Sequence, residues 1–151
     1  TVLTAFPTSM SNWRAFGLNA SRVIPGDLAW ALAAAGMAAT AAAGLACARR
    51  LAGNGRRQEG VAWLGLTAAG CAFTWHAHVH MSLLLVPPLY LVLAERPALR
   101  PLAEFVCLAL SAGFVLSAFA FGYGLAHDLL GMAMLALLIG CSAACLVALR
   151  R

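Results

Sequence analysis

Long apolar stretches separated by short polar connections make up most of the sequence. After a polar beginning that contains Pro7 and Pro25, apolar segments follow at residues 28–48, 60–75, 81–94, 102–121 and 129–149. A helix of about 20 residues crosses a bilayer core of roughly 30 Å. The pattern therefore predicts an all-α, polytopic bundle of about five transmembrane helices, with residues 1–27 as an extracytoplasmic loop and residues 28–151 as one domain.

Local signals refine this picture at three places. Residues 10–17 can form a short interfacial helix, for which Ser11 or Asn12 would be the N-cap. Two consecutive prolines, Pro87 and Pro88, cannot donate backbone hydrogen bonds and predict a kink in the third segment. Asp128 is placed to cap the last helix, at residues 129–149.

Composition supports the membrane interpretation. Hydrophobic residues make up 63% of the 151 residues and charged residues 10%, and the mean hydropathy is +0.87, whereas a soluble domain is roughly one-quarter charged. All ten basic residues are arginines, so the net charge of +5 reflects residue usage and does not indicate nucleic acid as a partner. The five cysteines lie inside apolar segments and are odd in number, which favours a packing role over disulfides or a thiolate metal site.

The arginines predict how the bundle is oriented. Four of them fall in residues 49–57, and positively charged loops usually face the cytoplasm. Alternation of five segments then puts Arg96, Arg100 and residues 150–151 on the cytoplasmic side as well. All four histidines, together with the loop of residues 1–27, fall on the opposite, extracytoplasmic side.

The most unusual stretch is Trp75-His76-Ala77-His78-Val79-His80, which lies between two uncharged segments. Titratable groups are costly in such surroundings, so the three histidines are predicted to form a functional site in a tight turn at or just inside the far interface. The alternative is that Trp75 and the histidines form an interfacial belt without chemistry.

Three kinds of chemistry suit the histidines: proton transfer, hydrogen bonding to a phosphate, and metal binding. The arginines Arg14 and Arg22, predicted on the same face, favour a phosphate because guanidinium groups bind its oxygens bidentately. A helix would point His78 away from His76 and His80, whereas an extended turn could put all three on one side. Metal binding ranks below phosphate binding because no carboxylate is nearby in sequence as a further ligand. We therefore expect no metal and no cofactor.

Two motifs together resemble a known family. Met10-Ser11-Asn12-Trp13-Arg14-Ala15-Phe16 and the stretch from Trp75-His76 to Pro87-Pro88 resemble the C-terminal half of the family 87 membrane glycosyltransferases. These GT-C fold enzymes are similar to the polyprenol-phosphate-mannose-dependent mannosyltransferases of bacterial envelopes, and the resemblance covers about half of the chain.

The resemblance implies transfer of a hexose such as mannose from a polyprenyl-phosphate donor to an envelope glycolipid or glycan, on the outer face of the bacterial inner membrane. The implied partners are membrane lipids, this donor and its acceptor. The candidate substrate-binding or lipid-phosphate-binding residues are Asn12, Trp13, Arg14, Arg22, His76, His78 and His80, of which Arg22 comes from the charge argument alone.

The chain also departs from this family. GT-C enzymes carry the catalytic-base aspartate in an early extracytoplasmic loop, but Asp27 borders a span here and Asp128 looks like a helix cap. We therefore expect the chain to be part of a longer protein whose base lies upstream, which leaves open whether this part is an enzyme by itself. The alternatives are a fragment of a transporter with the histidines in a proton or metal path, and a purely structural helix bundle.

Overall fold

The structure is a computed structural model that describes residues 10–53, 58–74, 79–101, 104, 107–108 and 125–150. Its α-helices are α1 (Trp13–Ala20), α2 (Gly26–Ala52), α3 (Glu59–Phe73), α4 (Val86–Glu95) and α5 (Leu125–Arg150), with 3₁₀ segments at Val79–Leu85 and Pro97–Leu99. No strand occurs among the described residues, so the all-α prediction is confirmed. Most of the predicted fourth segment, residues 102–121, lies outside the described ranges.

Two of the described helices are long and apolar enough to cross a membrane. These are Gly26–Ala52 and Asp128–Arg150, which match the predicted first and fifth segments. Helices α3 and α4 are also apolar, but they have 15 and 10 residues, which is less than the roughly 20 that a complete span requires. The lengths therefore support an integral membrane protein with two candidate spans, and the segments predicted at residues 60–75 and 81–94 are shorter elements.

Large apolar side chains cover the outer surface of these helices. Trp30 is 42% exposed, Trp63 43%, Tyr90 67% and Val147 52%. Helices that are apolar on their outer as well as their inner faces are typical of a bundle surrounded by lipid.

Helix α3 packs between α2 and α5. A Cβ atom added at Gly44 of α2 would lie 3.2 Å from the Cβ atom of Ala69. One added at Gly65 would lie 2.7 Å from Cys47 Sγ and 2.8 Å from Cys145 Cβ, so the three helices meet closely at this glycine. Cys47 and Cys145 are both buried and fill space there, which is the packing role that the sequence predicts.

The two prolines of the third segment begin a helix instead of bending one. Pro87 and Pro88 lie in the first turn of α4, where a missing N–H costs no helical hydrogen bond. The chain before them is the 3₁₀ segment Val79–Leu85. The predicted kink is thus replaced by a change of helix type at Leu85.

The end of α4 is tied to the beginning of α3. The backbone N–H of Gly60 donates to Glu95 Oε1 at 2.6 Å, and a Cβ atom added at Gly60 would lie 2.6 Å from the backbone nitrogen of Val92. Because the first N–H groups of a helix have no partner within it, the carboxylate of Glu95 serves as a cap supplied by another helix.

The last helix begins earlier than predicted. Helix α5 begins at Leu125, and Asp128 lies in its first turn, so the prediction of Asp128 as the cap of a helix over residues 129–149 is wrong. Its carboxylate instead forms an ion pair with Arg22, with 3.0 Å between Nη1 and Oδ2. The pair ties the connection between α1 and α2 to the beginning of α5.

Candidate functional site

Asn12 links two helix ends. It is the N-cap of α1, as predicted, because its Oδ1 accepts a hydrogen bond from the N–H of Ala15 at 2.9 Å. Its Nδ2 donates to the backbone carbonyl of Thr74 at 3.0 Å, across 62 positions of sequence. Thr74 is the C-cap of α3 and directly precedes Trp75. The N-terminal motif is therefore bonded to the residue that directly precedes the histidine motif.

Trp13 fixes the side of α1 against α2. Its Nε1–H donates to Thr40 Oγ1 at 3.1 Å, and its indole covers Gly36, where an added Cβ atom would clash with the ring. Phe16 packs edge-on against Trp13, with 5.6 Å between ring centroids and 73° between ring planes. A second close contact between α1 and α2 occurs at Gly17 of α1, where an added Cβ atom would lie 2.8 Å from the ring of Trp30 in α2.

The described residues on either side of the histidine motif lie near the contact between Asn12 and Thr74. On one side is Thr74; on the other, the carbonyl of Met81 accepts a weak hydrogen bond from Cys71 Sγ at 3.6 Å. Residues 75–78, including His76 and His78, lie outside the described residues. The backbone of His80 belongs to the 3₁₀ segment Val79–Leu85, and its side chain is outside the described part.

Thr74, the residue directly before the histidine motif, lies at the level of the middle of α2. Through Asn12 and Trp13, Thr74 lies close to the level of Thr40, which is in the middle of α2. The contact of Gly44 with Ala69 gives the same alignment of α2 and α3. Helix α3 therefore ends halfway along the long helix, and α2 continues beyond this end for several turns.

The two candidate arginines have different surroundings. Arg14 lies in the first turn of α1 and is partly exposed, one residue beyond the tryptophan that contacts Thr40. Arg22 is paired with Asp128; its side chain is 54% exposed, while that of Asp128 is 13% exposed. Arg14 therefore lies closer along the chain to the joint at Asn12, and Arg22 has a protein carboxylate as its partner.

The sequence did not single out Thr40 or Thr74. Thr40 is the only hydroxyl-bearing residue among residues 28–48, and this isolation is a signal that could have identified it as a partner for a tryptophan or asparagine. Thr74 contributes a backbone atom, which residue type does not reveal. Glu95 could have been noticed as a carboxylate at the end of an apolar segment, but its partner Gly60 could not.

A second feature is an apolar groove between α3, α4 and α5. It has a volume of about 520 Å³ and is lined by Leu64, Leu89, Val92, Ala136 and Gly140, among other apolar residues, with Arg96 as its charged residue. A hydrocarbon chain suits such a lining. Within the described ranges, no group of three His, Cys, Asp or Glu side chains is arranged to hold a metal ion.

Comparison with known proteins gives no relative from which a function can be taken. No family model matches the chain, and neither a curated protein nor a solved structure matches it.

Proposed function

We propose that the chain is part of an integral-membrane glycosyltransferase that moves a hexose such as mannose from a polyprenyl-phosphate donor to an envelope glycolipid or glycan. The transfer takes place on the extracytoplasmic face of the bacterial inner membrane. Arg14 and the three histidines bind the donor phosphate, and the base that activates the acceptor comes from another part of the protein. The resemblance to family 87 enzymes supplies the reaction class.

One observation supports this proposal above others. The hydrogen bond from Asn12 Nδ2 to the Thr74 carbonyl links one motif of the resemblance to the residue directly before the other, across 62 positions of sequence. Arg14 follows Asn12 by two residues, and His76 follows Thr74 by two. This contact supports a site in which a planar guanidinium binds two phosphate oxygens and imidazoles donate hydrogen bonds to them.

The hydrophobic part of the donor also has suitable surroundings. The helices expose large apolar side chains along their length, and the groove between α3, α4 and α5 has an almost wholly apolar lining that suits a hydrocarbon chain. The proposal includes the five-segment topology in a GT-C-like arrangement, with the arginine-rich connections in the cytoplasm and the histidine turn outside.

The test is transfer of labelled mannose from a polyprenyl-phosphate donor by the full-length protein in reconstituted membranes. Arg14→Lys keeps the charge but loses the planar guanidinium that binds two phosphate oxygens, so we expect the rate of transfer from the donor to fall markedly. Arg100→Lys is the matched control, because Arg100 pairs with Glu104 at 2.7 Å on an exposed surface far along the chain. Unchanged kcat and donor KM in Arg14→Ala would remove Arg14 from the site. Absence of transfer from any hexosyl-phosphate lipid would reject the reaction.

A second function is favoured by a different observation. Helix α3 ends level with the middle of α2, and in transporters interrupted helices at this depth form substrate and ion sites. The alternative is therefore a transporter component with the histidines in a proton or metal path. Proton or zinc flux into proteoliposomes, abolished when all three histidines are changed to alanine, would support the transporter. Absence of flux would exclude it, and flux that is unaffected by these changes would remove the histidines from the path.

A further inference from the structure

Helices α1 and α3 occupy successive positions along the same pair of long helices. The long helices α2 and α5 have 27 and 26 residues, or about 40 Å each, while α3 has 15 residues and α1 has 8, or about 22 and 12 Å at 1.5 Å per residue. Helix α3 packs along the C-terminal half of α2 through Gly44 and Gly65, and α1 packs along its N-terminal half through Trp13 and Trp30. Both short helices also contact α5.

The two short helices run in the same direction. Helix α3 leads from Glu59, at the end of the bundle that contains Glu95, to Thr74 at the middle of α2. Helix α1 leads from Asn12, beside Thr74, to Arg22, which pairs with the beginning of α5. Together α3 and α1 lie end to end along α2 and α5, and the contact between Asn12 and Thr74 marks the interruption between them. In the sequence, the whole of α2 separates the two helices.

We propose that α3 and α1 act as the two halves of one interrupted membrane helix and that Asn12 is the positioning residue that joins them. A helix leaves carbonyls without partners at its C-terminus and N–H groups without partners at its N-terminus. At mid-depth in a bilayer, each such group costs several kcal/mol unless protein or water satisfies it. The carboxamide offers a donor and an acceptor on one short, uncharged side chain.

The geometry of Asn12 fits this role on both sides. Oδ1 accepts from Ala15 at 2.9 Å, Nδ2 donates to Thr74 at 3.0 Å, and the residue is 1% exposed. The facing helix ends carry opposite partial charges, which adds to their attraction. Asn12 therefore positions the end of α3, where the histidine motif begins, without itself having to contact a substrate. The inference holds for either of the proposed functions.

The reactivity of native cysteines measures how tightly Asn12 holds the end of α3, without any assay of activity. Cys71, 4% exposed, lies one turn before Thr74, while Cys47 and Cys145 are 0% and 6% exposed and lie near Gly65, further along α3. Asn12→Ser keeps an N-cap oxygen but is too short to reach Thr74. Asn12→Asp keeps the acceptor and loses the donor. Labelling with N-ethylmaleimide in the detergent-solubilised full chain, followed by peptide mass spectrometry, gives separate rates for Cys71, Cys47 and Cys145.

In both variants we expect the Cys71 rate to rise about fivefold, since a buried hydrogen bond contributes roughly 1 kcal/mol and a factor of ten corresponds to 1.4 kcal/mol. The Cys47 and Cys145 rates should stay unchanged. Asn19→Asp, the same change at the other end of α1, should leave all three rates as they are. An unchanged Cys71 rate in Asn12→Asp would overturn the inference. An equal rise at all three cysteines would do so too, because Asn12 would then stabilise the whole bundle and not one joint.

Discussion

Polar atoms that look like substrate ligands in the sequence can already be bonded within the protein. The indole N–H of Trp13 donates to Thr40, and the carboxamide of Asn12 is bonded at both of its ends. An indole nitrogen has one hydrogen to donate, so Trp13 would have to give up Thr40 to bind a ligand through it. At the scale of single residues, Asn12 and Trp13 therefore act through contacts within the protein.

The contact of Gly36 with Trp13 predicts how much stability the fold loses when a methyl group is added at Gly36. Gly36→Ala would place a Cβ atom against the indole ring, and we expect it to destabilise the fold by about 1–3 kcal/mol because the rigid ring must move away from Thr40. Gly70→Ala is the matched control, since an added Cβ atom meets nothing within 4 Å there, and it should be neutral or stabilising by up to about 1 kcal/mol. Thermal unfolding in detergent, followed by tryptophan fluorescence, measures both. Equal stability of the two variants would contradict the packing of Trp13.

The histidines give a prediction that separates phosphate binding from metal binding. If His76, His78 and His80 donate hydrogen bonds to a phosphate, single alanine changes should have unequal effects and activity should survive chelators, because a turn cannot aim all three rings at one group. We expect His78 or His80 to be the most sensitive. A metal site would instead make all three changes similarly severe. Transfer assays with and without a chelator, together with metal analysis of the purified protein, decide between these outcomes.

At the scale of elements, apolar segments predict helices well when polar residues bound them. The predicted segments at residues 28–48 and 60–75 correspond to α2 and α3 within a few positions, because arginines, glycines and Glu59 lie between them. The sequence offers Ser11 or Asn12 as the cap of α1 because both residue types suit that position, and the structure has Asn12 there. Pro87 and Pro88 were placed inside a helix because a 3₁₀ segment can be as apolar as the helix that follows it.

Contacts between distant parts of the chain were not predictable in the same way. The bond between Asn12 and Thr74 depends on a backbone carbonyl, and nothing in the type of residue at position 74 indicates which side chain will reach it. The pairing of Arg22 with Asp128, 106 positions apart, depends on how α1 and α5 are arranged. The sequence thus indicates which residues are polar in apolar surroundings, whereas their partners follow only from the packing of the helices.

At the scale of elements, the contact of Glu95 with the beginning of α3 predicts a local loss of stability. Its carboxylate accepts from the N–H of Gly60 at the beginning of α3, so Glu95→Ala should destabilise that first turn by about 1–2 kcal/mol through loss of a cap. Glu59→Ala is the control, because Glu59 is also acidic, lies in the same turn and is exposed. Amide hydrogen exchange at Gly60 and Val61 should accelerate in Glu95→Ala and change little in Glu59→Ala. Equal acceleration in both variants would assign the effect to charge alone.

At the scale of the whole molecule, the helix ends that carry arginines lie together. Gly65 of α3 contacts Cys47 near the end of α2 and Cys145 near the end of α5, and Gly60 contacts Val92 near the end of α4. Arg49, Arg96 and Arg150 follow these contacts by a few residues each. The opposite end contains the ion pair of Arg22 with Asp128. The asymmetry of charge that the sequence shows along the chain is thus also an asymmetry between the two ends of the bundle.

This asymmetry predicts the orientation of the bundle in a membrane. Arginine-rich ends stay in the cytoplasm, so single cysteines at Gly55 or Ala98, in a chain whose native cysteines are replaced by alanine, should react with an impermeant maleimide only after the cytoplasmic side is opened. A cysteine at Ser21, which is exposed in the turn between α1 and α2, should react in intact cells, and one at Ala77 should also react from outside. Each labelled cell sample is compared with a permeabilised one, in which all four positions should react. Labelling of Ser21→Cys or Ala77→Cys from the cytoplasm alone would reverse the orientation and, with it, the proposal that transfer occurs on the outer face.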